Sequence, residues 1–122
     1  MAWEFNNSAP IYQQLMEQIK LNIISEVYSV GEKLPSVRDM ASEAAVNPNT
    51  MQKALTELEK TGLVYSQRTA GRFITEDREM IKNAQTNLAK EQIEKFLLSM
   101  KNIGFTEKET ISMIEKVAKE MN

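Results

Sequence analysis

SVRDMASEAAVNPNTMQKALTELEKTG, residues 36–62, contains two short helices on either side of a single break. Ser36 is placed to cap the first, and Asp39, three positions on, completes a capping-box-like pair. Val37, Met40, Ala41 and Ala44 give that helix a thin apolar face, and Val46-Asn47-Pro48 interrupts it after about nine residues. Asn47 caps the next helix, with Pro48 at its first position, where a missing N–H costs nothing. Met51, Ala54, Leu55 and Leu58 fall at i, i+3, i+4 and i+7, a clean buried stripe, and Gly62 supplies a left-handed stop. The opposite face offers Asn49, Thr50, Gln52, Lys53, Thr56 and Glu57. Two short helices joined by a tight turn are the helix-turn-helix pattern.

Upstream, Pro10 opens an amphipathic helix over about 11–27, with Tyr12, Leu15, Met16, Ile19, Ile23 and Val27 on one side. Residues 28–35, marked by Gly31 and Pro35, read as a connecting turn. Downstream, Leu63–Arg68 and Arg72–Thr75 are β-prone runs separated by Thr69-Ala70-Gly71, which predicts a hairpin with Arg68 and Arg72 flanking its tip. Gly71 provides the positive φ that the turn needs. From Glu76 the texture changes. Residues 76–102 contain no Gly or Pro and predict a long helix with Leu88, Ile93, Phe96, Leu97 and Met100 on its apolar side. After the turn Asn102–Phe105, Thr106 and Glu109 form a second capping box, and a last helix places Ile111, Ile114, Val117, Ala118 and Met121 on its apolar face.

Composition narrows the function. The 122 residues contain no cysteine and no histidine. Disulfides, thiolate catalysis, the usual zinc sites and imidazole acid–base chemistry therefore lose their usual residues, and nothing supports an enzyme or a cofactor. No apolar run approaches the roughly 18–20 residues that span a bilayer. Met1-Ala2-Trp3-Glu4-Phe5 lacks a signal-peptide pattern, so a cytoplasmic location with no membrane partner is expected. The net charge is −2, with 7 basic and 8 acidic side chains in residues 1–75 and 8 and 9 in residues 76–122. Contact with nucleic acid thus depends on local placement of charge, not on its total.

That placement suits duplex DNA. Asn and Gln on the third helix can pair bidentately with adenine in a major groove, and Thr can meet a thymine methyl. Arginines at a hairpin tip can reach phosphates or a minor groove. The fold class is therefore mainly α with a small β-hairpin: a winged helix-turn-helix over 1–75, followed by a two-helix tail over 76–122.

Four segments make the pattern specific. Pro10-Ile11-Tyr12-Gln13-Gln14-Leu15, Gly31-Glu32-Lys33-Leu34-Pro35-Ser36-Val37-Arg38, Ala54–Val64 and Gly71-Arg72-Phe73 together resemble the DNA-binding domain of the GntR family of bacterial regulators. Asn47-Pro48-Asn49-Thr50 and the short helical tail with Gly104-Phe105-Thr106 resemble its YtrA subfamily. The resemblance implies a homodimeric transcription regulator, most often a repressor, on double-stranded operator DNA, with transporter-type operons as targets. It maps DNA contact onto Arg38 at the start of the second helix. It also maps contact onto Asn47, Asn49, Thr50 and Gln52, with neighbouring Lys53, and onto Arg68, Thr69, Gly71 and Arg72 in the wing. Many family members carry arginine where this chain has Pro48 and Gln52, a departure that bears on the operator, since Arg favours guanine and Gln adenine.

The tail is the candidate dimerisation device. Its apolar faces exceed what 47 residues bury alone, so Phe96, Leu97, Met100, Phe105, Ile111, Ile114 and Val117 are expected against a second copy. The alternative is that the tail folds back on its own winged helix. Larger GntR relatives carry effector domains of a size this tail cannot match, which leaves any small-molecule effector unassigned. A competing function is a protein-interaction module, since winged helices also serve as scaffolds.

Overall fold

The computed structural model describes residues 3–122, so Met1 and Ala2 of the N-terminal stretch lie outside the described residues. The elements follow in the order α1 (Ile11–Ile24), α2 (Val37–Ala44), α3 (Pro48–Thr61), β1 (Val64–Gln67), β2 (Gly71–Ile74), α4 (Arg78–Ile103) and α5 (Glu107–Glu120). They form two compact units that divide within α4, between Ala84 and Gln85. The first unit thus continues beyond residue 75, because Met80, Ile81 and Ala84 of α4 pack against its core.

In the first unit the caps set the helix ends. Ser36 Oγ accepts from the Asp39 N–H at 3.1 Å. Asn47 Oδ1 accepts from the Asn49 N–H at 2.7 Å, with Pro48 at the first position of α3. Gly62 ends α3 at φ +86°. The core joins Leu15, Ile19 and Ile23 of α1 to Met40, Ala41 and Ala44 of α2 and to Met51, Ala54, Leu55 and Leu58 of α3, with Val64 and Ile74 from the hairpin. Apolar positions three and four apart on each helix meet in the centre, and this burial is the main favourable contribution to the fold.

Two local features differ from the sequence expectation. α1 stops at Ile24 rather than near residue 27. Glu26 adopts φ +64°, which breaks the helical repeat, and Val27 is left 58% exposed. Residues 32–34 are more than a connection. The Leu34 N–H donates to the Arg72 carbonyl at 2.9 Å and the Ile74 N–H to the Glu32 carbonyl at 2.8 Å, so Lys33 pairs antiparallel with Phe73. This third segment braces β2 along the edge that β1 leaves open.

The turn between α2 and α3 carries strain that can be removed. Ala45 sits in the left-handed region at φ +56°, and the Val46 N–H reaches back to the Ala41 carbonyl at 3.0 Å, the pattern of a Schellman cap that glycine normally supplies. Left-handed backbone costs a non-glycine residue about 1–2 kcal/mol. Glycine's greater freedom in the unfolded chain returns about 0.4–1 kcal/mol of that. Ala45→Gly is therefore expected to stabilise the first unit by about 0.5–1 kcal/mol, raising Tm by a few degrees in a thermal melt. A lowered Tm would show that the methyl group contributes more than the backbone strain costs.

In the second unit Thr106 and Glu109 form a reciprocal capping box at the start of α5. The Thr110 side chain, only 1% exposed, donates to the Thr106 carbonyl at 2.8 Å. Thr110 is the one buried residue of α5 among the described residues, while Ile111, Ile114, Val117 and Met121 stand open to solvent in the single chain. No helix of the described residues is long and apolar enough to cross a membrane.

Candidate nucleic-acid interface

α3 turns by about 100° per residue, so Asn49, Gln52, Lys53 and Thr56 lie within one arc, opposite the buried stripe of Met51, Ala54, Leu55 and Leu58. All four are exposed. Thr50 lies at the edge of the arc and is half-buried. Asn47 spends its side-chain oxygen on the cap, which leaves its amide NH2 for an outside acceptor. Lys53 extends across α1, its Nζ 4.0 Å from the centre of the Tyr12 ring, a cation–π contact that holds the ammonium group at the margin of the polar stripe.

Arg38, the second residue of α2, is exposed and has no ion-pair partner among the described residues. The simpler reading of this arginine, neutralisation by a nearby acid, therefore does not apply. Arg68 and Thr69, in the turn between β1 and β2, are likewise exposed and free of ion pairs. Gly71 opens β2 at φ +105°. A Cβ there would approach Lys33 Cε to 3.2 Å, so this position combines a glycine-only backbone with a close neighbour. Between the start of α2 and the hairpin tip lies a cleft of about 600 Å³, lined by Lys33, Ser36, Val37, Ala70, Gly71 and Arg72.

Arg72 differs from the other two arginines. Its side chain is only 18% exposed, and its Nε donates to Glu59 Oε1 at 2.5 Å. Ser66 Oγ donates to the same oxygen at 2.5 Å. Burial pushes the Glu59 carboxyl upward. The hydrogen bonds from Ser66 and Arg72, with the arginine's charge, outweigh that and hold it below the usual carboxylate range. Glu59 and Ser66 were not singled out by sequence. The only signal was the length of α3, which carries Glu59 past the recognition stripe to the level of the hairpin. On the outer face of the hairpin Tyr65 and Phe73 stack with ring centroids 5.7 Å apart.

The tail residues separate into groups. Phe96, Met100, Ile114 and Val117 line one apolar groove of about 380 Å³ between α4 and α5, together with Met113, Ala118 and Met121. Leu97 and Phe105 instead line a more polar cleft with Glu94, Lys101 and Thr106. Ile111 lines neither and is 56% exposed. Met113 was not anticipated as a groove residue, although it lies three positions after Thr110 and four before Val117 on the same side of α5.

A helix-turn-helix whose second helix presents polar side chains beside an arginine-bearing hairpin defines a winged-helix DNA-binding protein. Residues 11–74 match the family described as bacterial regulatory proteins, gntR family, and the chain belongs to that family. It is 38% identical over 112 residues to the uncharacterized HTH-type transcriptional regulator YhcF of Bacillus subtilis, covering 92% of this chain and 93% of that one. It is 33% identical over 99 residues to the HTH-type transcriptional repressor YtrA of the same organism, covering 80% and 76%. A solved GntR family transcriptional regulator from Listeria monocytogenes superposes with a TM-score of 0.85 at 37% identity, over 92% of this chain and 98% of that one. The chain is thus a DNA-binding transcription regulator and not an enzyme.

Proposed function

We propose that the protein is a cytoplasmic repressor of the YtrA subfamily that binds an inverted-repeat operator as a homodimer and controls a small operon of transporter type. The observation that carries this reading is the exposed polar stripe of α3, Asn49, Gln52, Lys53 and Thr56, with two exposed arginines, Arg38 and Arg68, that have no ion-pair partner among the described residues. Asn47, Asn49, Thr50 and Gln52 read base edges in the major groove, Gln52 favouring adenine. Arg38 and Lys53 hold phosphates beside it, and Arg68, Thr69 and Gly71 follow the backbone toward the minor groove, with Arg72 next to the wing tip. The likeness to a relative named as a repressor supports the sense of regulation, and the subfamily resemblance supports the type of operon.

The tail supplies the second copy. Phe96, Met100, Ile114 and Val117 form an apolar surface that a two-fold partner would cover with the same residues, with Leu97, Phe105 and Ile111 around its edge. One winged helix makes too few contacts to be selective among genomic sites, and two on half-sites about one helical turn apart overcome this.

Selection from a random DNA pool, followed by titration of the enriched duplex at several salt concentrations, tests the reading. A palindromic sequence is expected. With Arg38, Lys53 and Arg68 of two protomers on phosphates, log affinity should fall against log salt with a slope of about −5. A pool with no enriched sequence would instead favour a winged-helix protein-interaction module.

A further inference from the structure

We propose that Glu59 is a positioning residue of the DNA interface, clamping the wing to the recognition helix through Arg72 and Ser66. The clamp rests on the DNA-binding reading above and assigns Arg72 a different task from Arg38 and Arg68.

Glu59 lies seven residues after Gln52, two turns further along nearly the same side of α3. Ser66 and Arg72 are cross-strand partners in the hairpin, so their side chains leave it on one face. Val64 and Ile74, on that same face, enter the core. At Ser66 and Arg72 the apolar contact has run out, and polar groups replace it. Two donors from different strands converge on one carboxylate oxygen of α3. The pair is partly shielded, with side-chain exposures of 18% for Arg72 and 28% for Glu59, so solvent screens it less than a fully exposed ion pair.

This geometry has two consequences. The recognition helix and the wing straddle the DNA backbone in the proposed complex, and the clamp fixes the angle between them, so that a major-groove contact by Gln52 and a wing contact by Arg68 come as one rigid unit. It also cancels a negative charge. A bare Glu59 carboxylate on the recognition side of α3 would repel a polyanion, and Arg72 neutralises it. Arg72 therefore acts through Glu59, its charge spent within the protein.

Operator titrations at several salt concentrations, on wild type, Arg72→Met and the double variant Arg72→Met/Glu59→Gln, decide the matter. Methionine keeps the aliphatic stem, and thermal melts establish that each variant folds. Should the methionine variants not fold, Arg72→Gln/Glu59→Gln, which keeps a hydrogen-bonded but uncharged pair, replaces them and is read by the same salt slope. The clamp predicts that Arg72→Met weakens binding about tenfold, and that the double variant, which like the wild-type pair carries no net charge here, keeps the wild-type salt slope. It further predicts that adding Glu59→Gln recovers at least threefold, because the orphaned carboxylate is gone. If Arg72 itself holds a phosphate, the double variant has lost that contact, its slope is shallower than wild type by about 2 per dimer, and the clamp is overturned. A wild type that prefers no sequence overturns the DNA-binding reading and the clamp with it. A wild type that binds its operator while the variants follow the second pattern overturns the clamp alone.

Discussion

Arg38→Ala lowers operator affinity by a factor on the order of 10²–10⁴ and does so for every sequence tested. The side chain is exposed at the start of α2 and has no ion-pair partner among the described residues. A hydrogen bond from a charged group is worth about 1.5–3 kcal/mol. Each dimer loses two, about 3–6 kcal/mol, which gives the stated range. The salt slope should become shallower by about 2, because two phosphate contacts are gone. Gln52→Ala behaves differently. It removes a base contact of about 1–3 kcal/mol per half-site, leaves the salt slope alone and relaxes preference at one base pair. Titrations of both variants on the operator and on a scrambled duplex separate the two patterns. Equal losses on both duplexes for Gln52→Ala would remove it from the base-reading set.

Ile114→Asp is expected to abolish the proposed dimer. Ile114 is 45% exposed in the single chain and lines the apolar groove with Phe96, Met100 and Val117. Because it is not buried within the protomer, the aspartate leaves the helical pair folded, and circular dichroism should match wild type. At a two-fold interface the substitution introduces two carboxylates into an apolar contact, each losing its water without gaining a partner. Light scattering on the eluting peak should report a monomer of half the wild-type mass. Operator affinity should fall by about 10²–10⁴, since the second half-site loses the effective concentration that linkage provides. An intact dimer with Ile114→Asp would place the interface elsewhere, with Leu97, Phe105 and Ile111 the next positions to test.

How much of this was legible in the sequence follows from the range of the interactions. Ser36, Asn47, Pro48 and Gly62 act within one turn of their own position, and the ends of α2 and α3 fall where these residues place them. Helical periodicity likewise identified Met51, Ala54, Leu55 and Leu58 as core. Features that depend on distant partners were less visible. Residues 32–34 have no strand-like length of their own and pair with β2 only because the fold brings it alongside. Glu59 and Arg72 are 13 positions apart, and nothing in either neighbourhood announces their pairing. α1 ends early because Glu26 adopts a left-handed backbone that its side-chain type disfavours. In the tail the sequence marked the apolar positions. It could not divide them between the groove that holds Phe96, Met100, Ile114 and Val117 and the cleft that holds Leu97 and Phe105, because that division depends on how α4 and α5 face each other.

The central claim is two-fold, sequence-selective binding of duplex DNA. Native mass spectrometry of the protein with its selected duplex, against the same duplex scrambled, addresses it most directly. Two chains per selected duplex, with half-sites centred about 10 base pairs apart and no comparable complex on the scrambled DNA, is the predicted result. One chain per duplex, or equal occupancy of both duplexes, would contradict it.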